Sequence, residues 1–312
     1  MSKITAKAVS ELRAKTGCGM MDCKKALVDA NGDFEEAIKL LRERGLAVAA
    51  KKADRIAAEG IVDILTSEDG KTAAMLEVNS ETDFVAKNAD FREFVRGVLR
   101  TILANEPADM DALMACKFDG SDTTVEQALN DKIFTIRENL SIRRFVIVKG
   151  AMSTYIHGGG ETGVIVKFDA DDEVAAKPEF AEMAKNVALQ VAAMNCQYTN
   201  RSDVPQSVMD EEKEILITQI KNDPKNANKP QEIIEKMVTG RLEKFYENNV
   251  LADQSYVKDD SMTVAQYVES VAKEIGPVKL HSFYRYDKGE GLQKREDNFA
   301  EEIANMVSGN KD

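Results

Sequence analysis

The chain repeats itself. The stretch that begins Lys149-Gly150-Ala151-Met152 runs without a gap over Glu59-Gly60-Ile61-Val62, at an offset of 90 residues. In register fall Gly60 with Gly150, Gly70 with Gly160, Thr72 with Thr162, and Ala86-Lys87 with Ala176-Lys177. Met75-Leu76-Glu77-Val78 lies over Ile165-Val166-Lys167-Phe168. Each copy reads as two short apolar runs around a glycine-bearing turn, then a polar turn, then helical spacing. Two copies of a β-hairpin with a following helix predict an α+β chain built on two similar subdomains with antiparallel sheets.

The polar turn of the first copy is Asn79-Ser80-Glu81-Thr82-Asp83-Phe84-Val85-Ala86-Lys87-Asn88. Its residues hydrogen-bond their own backbone readily, as a turn or helix cap requires. Phe84 is the odd member, an aromatic ring in a polar setting. It either staples the strand to its helix or projects as a wedge into a partner. Spacing does not choose between these. Phe84 falls over Val174, so only the first copy carries the ring.

Before the repeat, residues 1–54 read as a three-helix unit. Thr5 caps the first helix, Val9 and Leu12 form its apolar face, and Thr16-Gly17 ends it. A second helix runs over 21–30. Asp33 with Glu36 makes a capping box for a third, with Gly45 as its stop. Met20 and Met21, after Gly17-Cys18-Gly19, are either core fill or an adaptable contact surface. An Ala- and Lys-rich linker leads into a first core subdomain, 55–144, with helices near 90–104 and 123–138. The second core subdomain comprises 145–179 and 230–291, and ends with a strand over 278–286. Between its parts, amphipathic stretches at 178–194 and 207–220 predict a protruding helical hairpin, 180–229, as an oligomerisation arm. A C-terminal helical module, 292–312, includes a short helix over 295–307.

Composition narrows the function. The 312 residues carry 42 Lys and Arg against 54 Asp and Glu, a formal charge of −12. That balance disfavours direct contact with nucleic acid, which selects a basic face, and fits protein partners. No apolar stretch approaches the length of about 20 residues needed to span a membrane. The amino terminus lacks a signal-peptide core, so the expected location is cytoplasmic. Four cysteines, Cys18, Cys23, Cys116 and Cys196, and two histidines, His157 and His281, are too scattered for a zinc site. Gly70-Lys71-Thr72 has the tail of a phosphate-binding loop, but Leu65 stands where its leading glycine is needed. His157-Gly158-Gly159-Gly160 is similar to an oxyanion segment, yet no Gly-x-Ser-x-Gly elbow accompanies it. His157 is then a turn residue or a contact point. Neither a cofactor nor covalent chemistry is expected.

Two longer runs carry a resemblance. Leu12-Arg13-Ala14-Lys15-Thr16-Gly17-Cys18-Gly19-Met20-Met21-Asp22-Cys23-Lys24-Lys25-Ala26-Leu27 and the turn from Glu77 to Asn88 resemble the two signatures of the elongation factor Ts family. Glu138-Asn139-Leu140-Ser141-Ile142-Arg143-Arg144, Tyr155-Ile156-His157-Gly158, Glu235-Lys236-Met237-Val238-Thr239-Gly240-Arg241-Leu242 and Gly289-Glu290-Gly291 continue it in the family's order. The resemblance implies a guanine-nucleotide exchange factor that binds elongation factor Tu, with GDP or nucleotide-free, during translation. It implies a ubiquitin-associated-like first domain that grips the partner through Leu12, Met20 and Met21. It implies a wedge of Thr82, Asp83, Phe84 and Val85, aided by Ile136, that pushes near the partner's phosphate and magnesium site. His157 would touch another partner domain, and the arm would allow a homodimer.

Overall fold

The computed structural model describes residues 4–226 and 229–293. The expected helix over 295–307, with nearly all of the module at 292–312, lies outside them. The described chain divides into two compact units. Of the described residues, the first comprises 4–62, 76–145 and 287–293, and the second 63–75, 146–226 and 229–286.

The first unit opens with α1 (Ala6–Thr16), α2 (Met20–Asp29) and α3 (Phe34–Lys52). Thr5 Oγ1 accepts the Ala8 N–H at 3.1 Å and starts α1. Gly17 ends it in the left-handed region at φ 69°, its N–H donated to the Arg13 carbonyl, as expected of a C-terminal glycine. Asp33 accepts from the Glu36 N–H at 2.9 Å; this is a one-sided cap. Gly45 does not stop α3. Ala47, Ala49, Ala50, Lys51 and Lys52 are strong helix formers and carry it to Lys52. Gly45 serves packing instead, because a Cβ there would sit 3.5 Å from Phe134 Cβ. Phe134 belongs to α7 (Val125–Ile136) and completes the core of the three helices with Leu12, Leu27, Ala37 and Leu41.

β1 (Glu59–Thr66) and β2 (Thr72–Ser80) form the predicted hairpin, followed by α4 (Asp83–Ala86), α5 (Ala89–Asn105) and α6 (Met110–Ala115). β3 (Leu140–Lys149), to which the sequence reading assigned no element, completes a sheet of order β1-β2-β3. α5 buries Phe91, Phe94, Val95, Val98, Leu99 and Ile102 at helical spacing, the pattern of a helix covering a core.

The second unit holds β4 (Ala151–His157), β5 (Thr162–Ala170), α8 (Asp172–Ala175) and α9 (Pro178–Ala193). β4 and β5 are antiparallel, with Ala151 opposite Phe168 and His157 opposite Thr162. β2 and β5 match end for end at the 90-residue offset, but the short helical turns do not: α8 begins one residue early. Val174 is therefore the third residue of its turn, as Val85 is of α4, and both are buried. The residue of the second copy in the place of Phe84 is Glu173, not Val174.

The helical hairpin also differs from expectation. α9 packs on β4 and β5, with Phe180, Met183, Ala184, Val187, Ala188 and Val191 in that core. α10 (Gln206–Asn222) instead pairs with α11 (Gln231–Asn249), where Ile220 meets Ile234 and Val238. The reason is amphipathic width. α9 buries a broad apolar face that a two-helix arm could not cover, whereas α10 and α11 each bury two residues. The unit ends with the small pair β6 (Ser255–Tyr256) and β7 (Asp259–Thr263), then α12 (Val264–Ile275) and β8 (Val278–Asp287). β8 joins its sheet in the order β4-β5-β8, the late return expected from the sequence.

Candidate protein-binding site

Phe84 does not staple anything. Its ring is 79% exposed, while Val85 and Ala86 beside it are buried and anchor α4. The turn under the ring is held by two carboxylates used reciprocally. Glu138 accepts from the Thr82 N–H at 3.0 Å and from the Thr82 hydroxyl at 2.6 Å. Glu81 accepts from the Asn139 N–H at 2.6 Å and faces Arg55 at 3.4 Å. Asn139 Nδ2 donates in turn to the Arg55 carbonyl at 2.8 Å. Ser80 Oγ donates to the Thr82 carbonyl at 2.9 Å, and Asn88 Oδ1 caps α5 by accepting from Asp90 and Phe91 N–H. Charge-assisted hydrogen bonds of this kind are stronger than neutral ones, so the ring stands on a stiff base. On the solvent side, the ammonium of Lys87 lies 2.6 Å from Asp83 and holds that carboxyl below its usual range.

Ile136 ends α7 and is half-buried. Arg137 follows in the left-handed region at φ 68°, turning the chain sharply so that Glu138 points back at Thr82. That conformation is supported from α2 and α3 and from α7 itself. Arg137 donates to Asp22 at 2.5 Å, its carbonyl accepts from Lys52 Nζ at 2.6 Å, and its guanidinium lies 4.4 Å from the Phe134 ring centre. Gly17, Phe84, Lys132, Thr135 and Ile136 then line one open cleft of about 380 Å³. A larger cleft of about 620 Å³ adjoins it and shares Gly17, Asp90, Lys132 and Thr135.

The methionine loop is built from beneath by its thiols. Thr16 Oγ1 donates to the Leu12 carbonyl at 2.8 Å, Cys18 Sγ to the Thr16 carbonyl at 3.6 Å, and Cys23 Sγ to the Cys18 carbonyl at 3.7 Å. Burial pushes the Cys18 thiol above its usual range, which keeps it a protonated donor. On this support Met20 is 49% and Met21 73% exposed. The pair is thus surface, not core fill. Leu12 is the opposite case: it has no exposed surface in the free chain and lies in the core of the three helices. Its part is to hold the loop from inside. Val85, grouped with the wedge from the sequence, is buried and anchors the turn while lining the cleft beside Phe84.

His157 lies in the second unit, exposed at the end of β4. Tyr155 OH and His157 Nδ1 are 3.1 Å apart, and Gly158, Gly159 and Gly160 turn the chain with positive φ at all three. The other histidine, His281, pairs through Nδ1 with Asp169 at 3.0 Å. Among the described residues no group of three or more His, Cys, Asp or Glu is placed to hold a metal ion, and no helix is long and apolar enough to cross a membrane.

Glu81, Glu138, Asn139 and Arg137 were not singled out from the sequence. Thr82 lies 56 residues from Glu138, Asn139 58 from Glu81, and Lys52 and Asp22 85 and 115 from Arg137, and only the quotation of Glu81, Glu138 and Asn139 within longer runs marked them at all.

A projecting aromatic ring on a braced turn and exposed methionines on a braced loop fit one class of protein, a factor that works by gripping another. The comparisons with known proteins agree with that class. Residues 81–290 match the family model described as Elongation factor TS. Elongation factor Ts of Syntrophotalea carbinolica is 47% identical over 312 residues, covering 98% of this chain and 99% of its own. Those of Clostridium kluyveri and Clostridioides difficile are each 46% identical, covering 98% of this chain and 99% and 100% of their own. The chain belongs to the elongation factor Ts family, the nucleotide-exchange factors of elongation factor Tu in translation elongation.

Proposed function

We propose that this chain accelerates GDP release by driving the Phe84 ring, with Asp83 and Ile136 beside it, against elongation factor Tu near its phosphate and magnesium site. The observation that carries the reading is a ring 79% exposed on a turn locked by Glu81 and Glu138. A large apolar side chain held in water without a partner is unfavourable for the free protein and suits a docking anchor. Stiffness matters as much as exposure. A turn already ordered loses little entropy on binding and cannot fold back when pressed.

The chemistry is linkage, with no covalent step. A factor that binds the nucleotide-free partner more tightly than the GDP form must weaken GDP binding by the same factor. The wedge provides the difference between the two states, since it competes for space with the segments that hold phosphate and magnesium. Met20 and Met21 supply affinity through adaptable apolar contact. His157, on the second unit, is assigned to a separate domain of the partner. The working place is the cytoplasm, and the charge of −12 turns the surface away from nucleic acid. The arm of α10 and α11 is the segment through which two copies would pair, with Ile215 and Ile233 exposed on it. Sedimentation in which Ile215→Asp with Ile233→Asp leaves the mass unchanged would remove that pairing.

The test is release of a fluorescent GDP analogue from elongation factor Tu, chased with excess GDP. Acceleration should saturate with this protein and be lost in Phe84→Ala. Binding without acceleration would leave an adaptor, and the exchange mechanism would fall.

A further inference from the structure

The wedge rests on a support that the family signatures do not explain. Thr82, immediately before the helical turn that carries Phe84, has both its N–H and its hydroxyl bound to one carboxylate, at 3.0 and 2.6 Å. That carboxylate belongs to Glu138, two residues beyond Ile136 and 56 residues along the chain from Thr82. Glu81 returns the arrangement by accepting from the Asn139 N–H at 2.6 Å. Two adjacent residues on one segment therefore exchange three hydrogen bonds with two adjacent residues on the other, and each segment supplies one carboxylate. Phe84 and Ile136, which line the same cleft, are thereby fixed to one another.

We propose that Glu138 is a positioning residue for nucleotide exchange, acting through Phe84 and not by contact with the partner. This rests on Phe84 being the wedge. Packing beneath the turn is slight, since α4 has only four residues and buries only Val85 and Ala86. The carboxylate is what prevents the turn from rotating about that anchor. A ring displaced by about 1 Å can lose on the order of a hundredfold in a geometry-dependent step. Affinity, spread over the methionine loop and other contacts, should change far less. Glu138 thus sets how effectively bound protein expels GDP.

The measurement is the saturating rate of GDP release and the concentration giving half of it, in a cycle of Glu138→Ala with Phe84→Ala. Glu138→Ala should cut the saturating rate about tenfold, with the half-saturating concentration within about threefold of wild type. In the Phe84→Ala background it should have less than about a twofold effect, because the group it positions is gone. Glu138→Gln is the rescue: its carbonyl can accept the Thr82 N–H and its amide can donate to the Thr82 oxygen, so most of the rate should return. Thr82→Val keeps the N–H and shape but loses the hydroxyl, and should fall between them. Equal loss from Glu138→Ala in both backgrounds would show a general effect and overturn the proposal, as would a wild-type rate in Glu138→Ala. A wild-type rate in Phe84→Ala would instead overturn the wedge itself, and the positioning role with it.

Discussion

Val85 is 8% exposed and Phe84, the residue before it, 79%. One helical turn divides anchor from projection within a single peptide unit. Stability and function should separate at the same place. Val85→Ala should lower unfolding free energy by about 1–2 kcal/mol, from the lost methyl groups and the space they leave. Phe84→Ala should leave it within about 0.5 kcal/mol, as an exposed substitution does. Urea titration of the two variants decides it, and a Phe84→Ala protein as unstable as Val85→Ala would return the ring to the core.

Leu12 and Met21 belong to the same signature and divide in the same manner. Leu12→Ala opens a cavity in the core shared with Phe134 and should cost about 2–5 kcal/mol. Met21→Ala should leave the melting curve in place and weaken the complex with elongation factor Tu about tenfold, the effect of losing an interfacial anchor. Titration of the complex by fluorescence anisotropy reads the second. Unchanged affinity would remove Met21 from the interface.

Glu77 predicts an acid limb. Its carboxylate has no exposed surface, and burial alone would raise its pKa. The Gly289 N–H at 2.8 Å, Asn79 Nδ2 at 3.0 Å, Arg144 Nε at 2.6 Å and Arg143 Nη1 at 3.0 Å outweigh that and hold it below the usual range. The unfolded chain, with a glutamate near the ordinary value of about 4.3, therefore binds the proton more readily. The stabilisation is complete above that value and is lost as pH falls through the lower folded one. Glu77→Gln should flatten the acid side of the stability profile. Glu77→Ala at pH 7 should cost toward the lower end of about 3–5 kcal/mol, since both guanidinium groups keep some solvent. Parallel pH profiles for wild type and Glu77→Gln would sink the claim.

Local signals read well from the sequence, and cross-chain ones poorly. Thr5, Asp33 and Gly17 act on neighbours within four residues, and their caps lie where the spacing put them. The repeat located both hairpins because Gly60 and Gly150 share a backbone that other residues rarely adopt, at φ 119° and 111°. At Gly60 a Cβ would also stand 2.1 Å from the Val78 carbonyl oxygen. β3 escaped because residues 140–149 alternate only at Leu140 and Ile142 before Phe145-Val146-Ile147-Val148 breaks the pattern. The place of α9 on β4 and β5 is not legible because amphipathic spacing marks a helix but does not name the surface it covers. Within the site, Phe84 was visible as an anomaly. The carboxylates beneath it were not, since no local rule joins Thr82 to Glu138.

Phe134 lies in the core of the first three helices although it is contributed by α7. The opening fifty residues are consequently not a bead on a string. Their apolar centre includes a ring from α7, a helix encoded much later in the chain. The same ring also lies under the Arg137 guanidinium, 4.4 Å from its centre. A change at Phe134 therefore bears at once on the three-helix core and on the turn that presents Glu138 to Thr82.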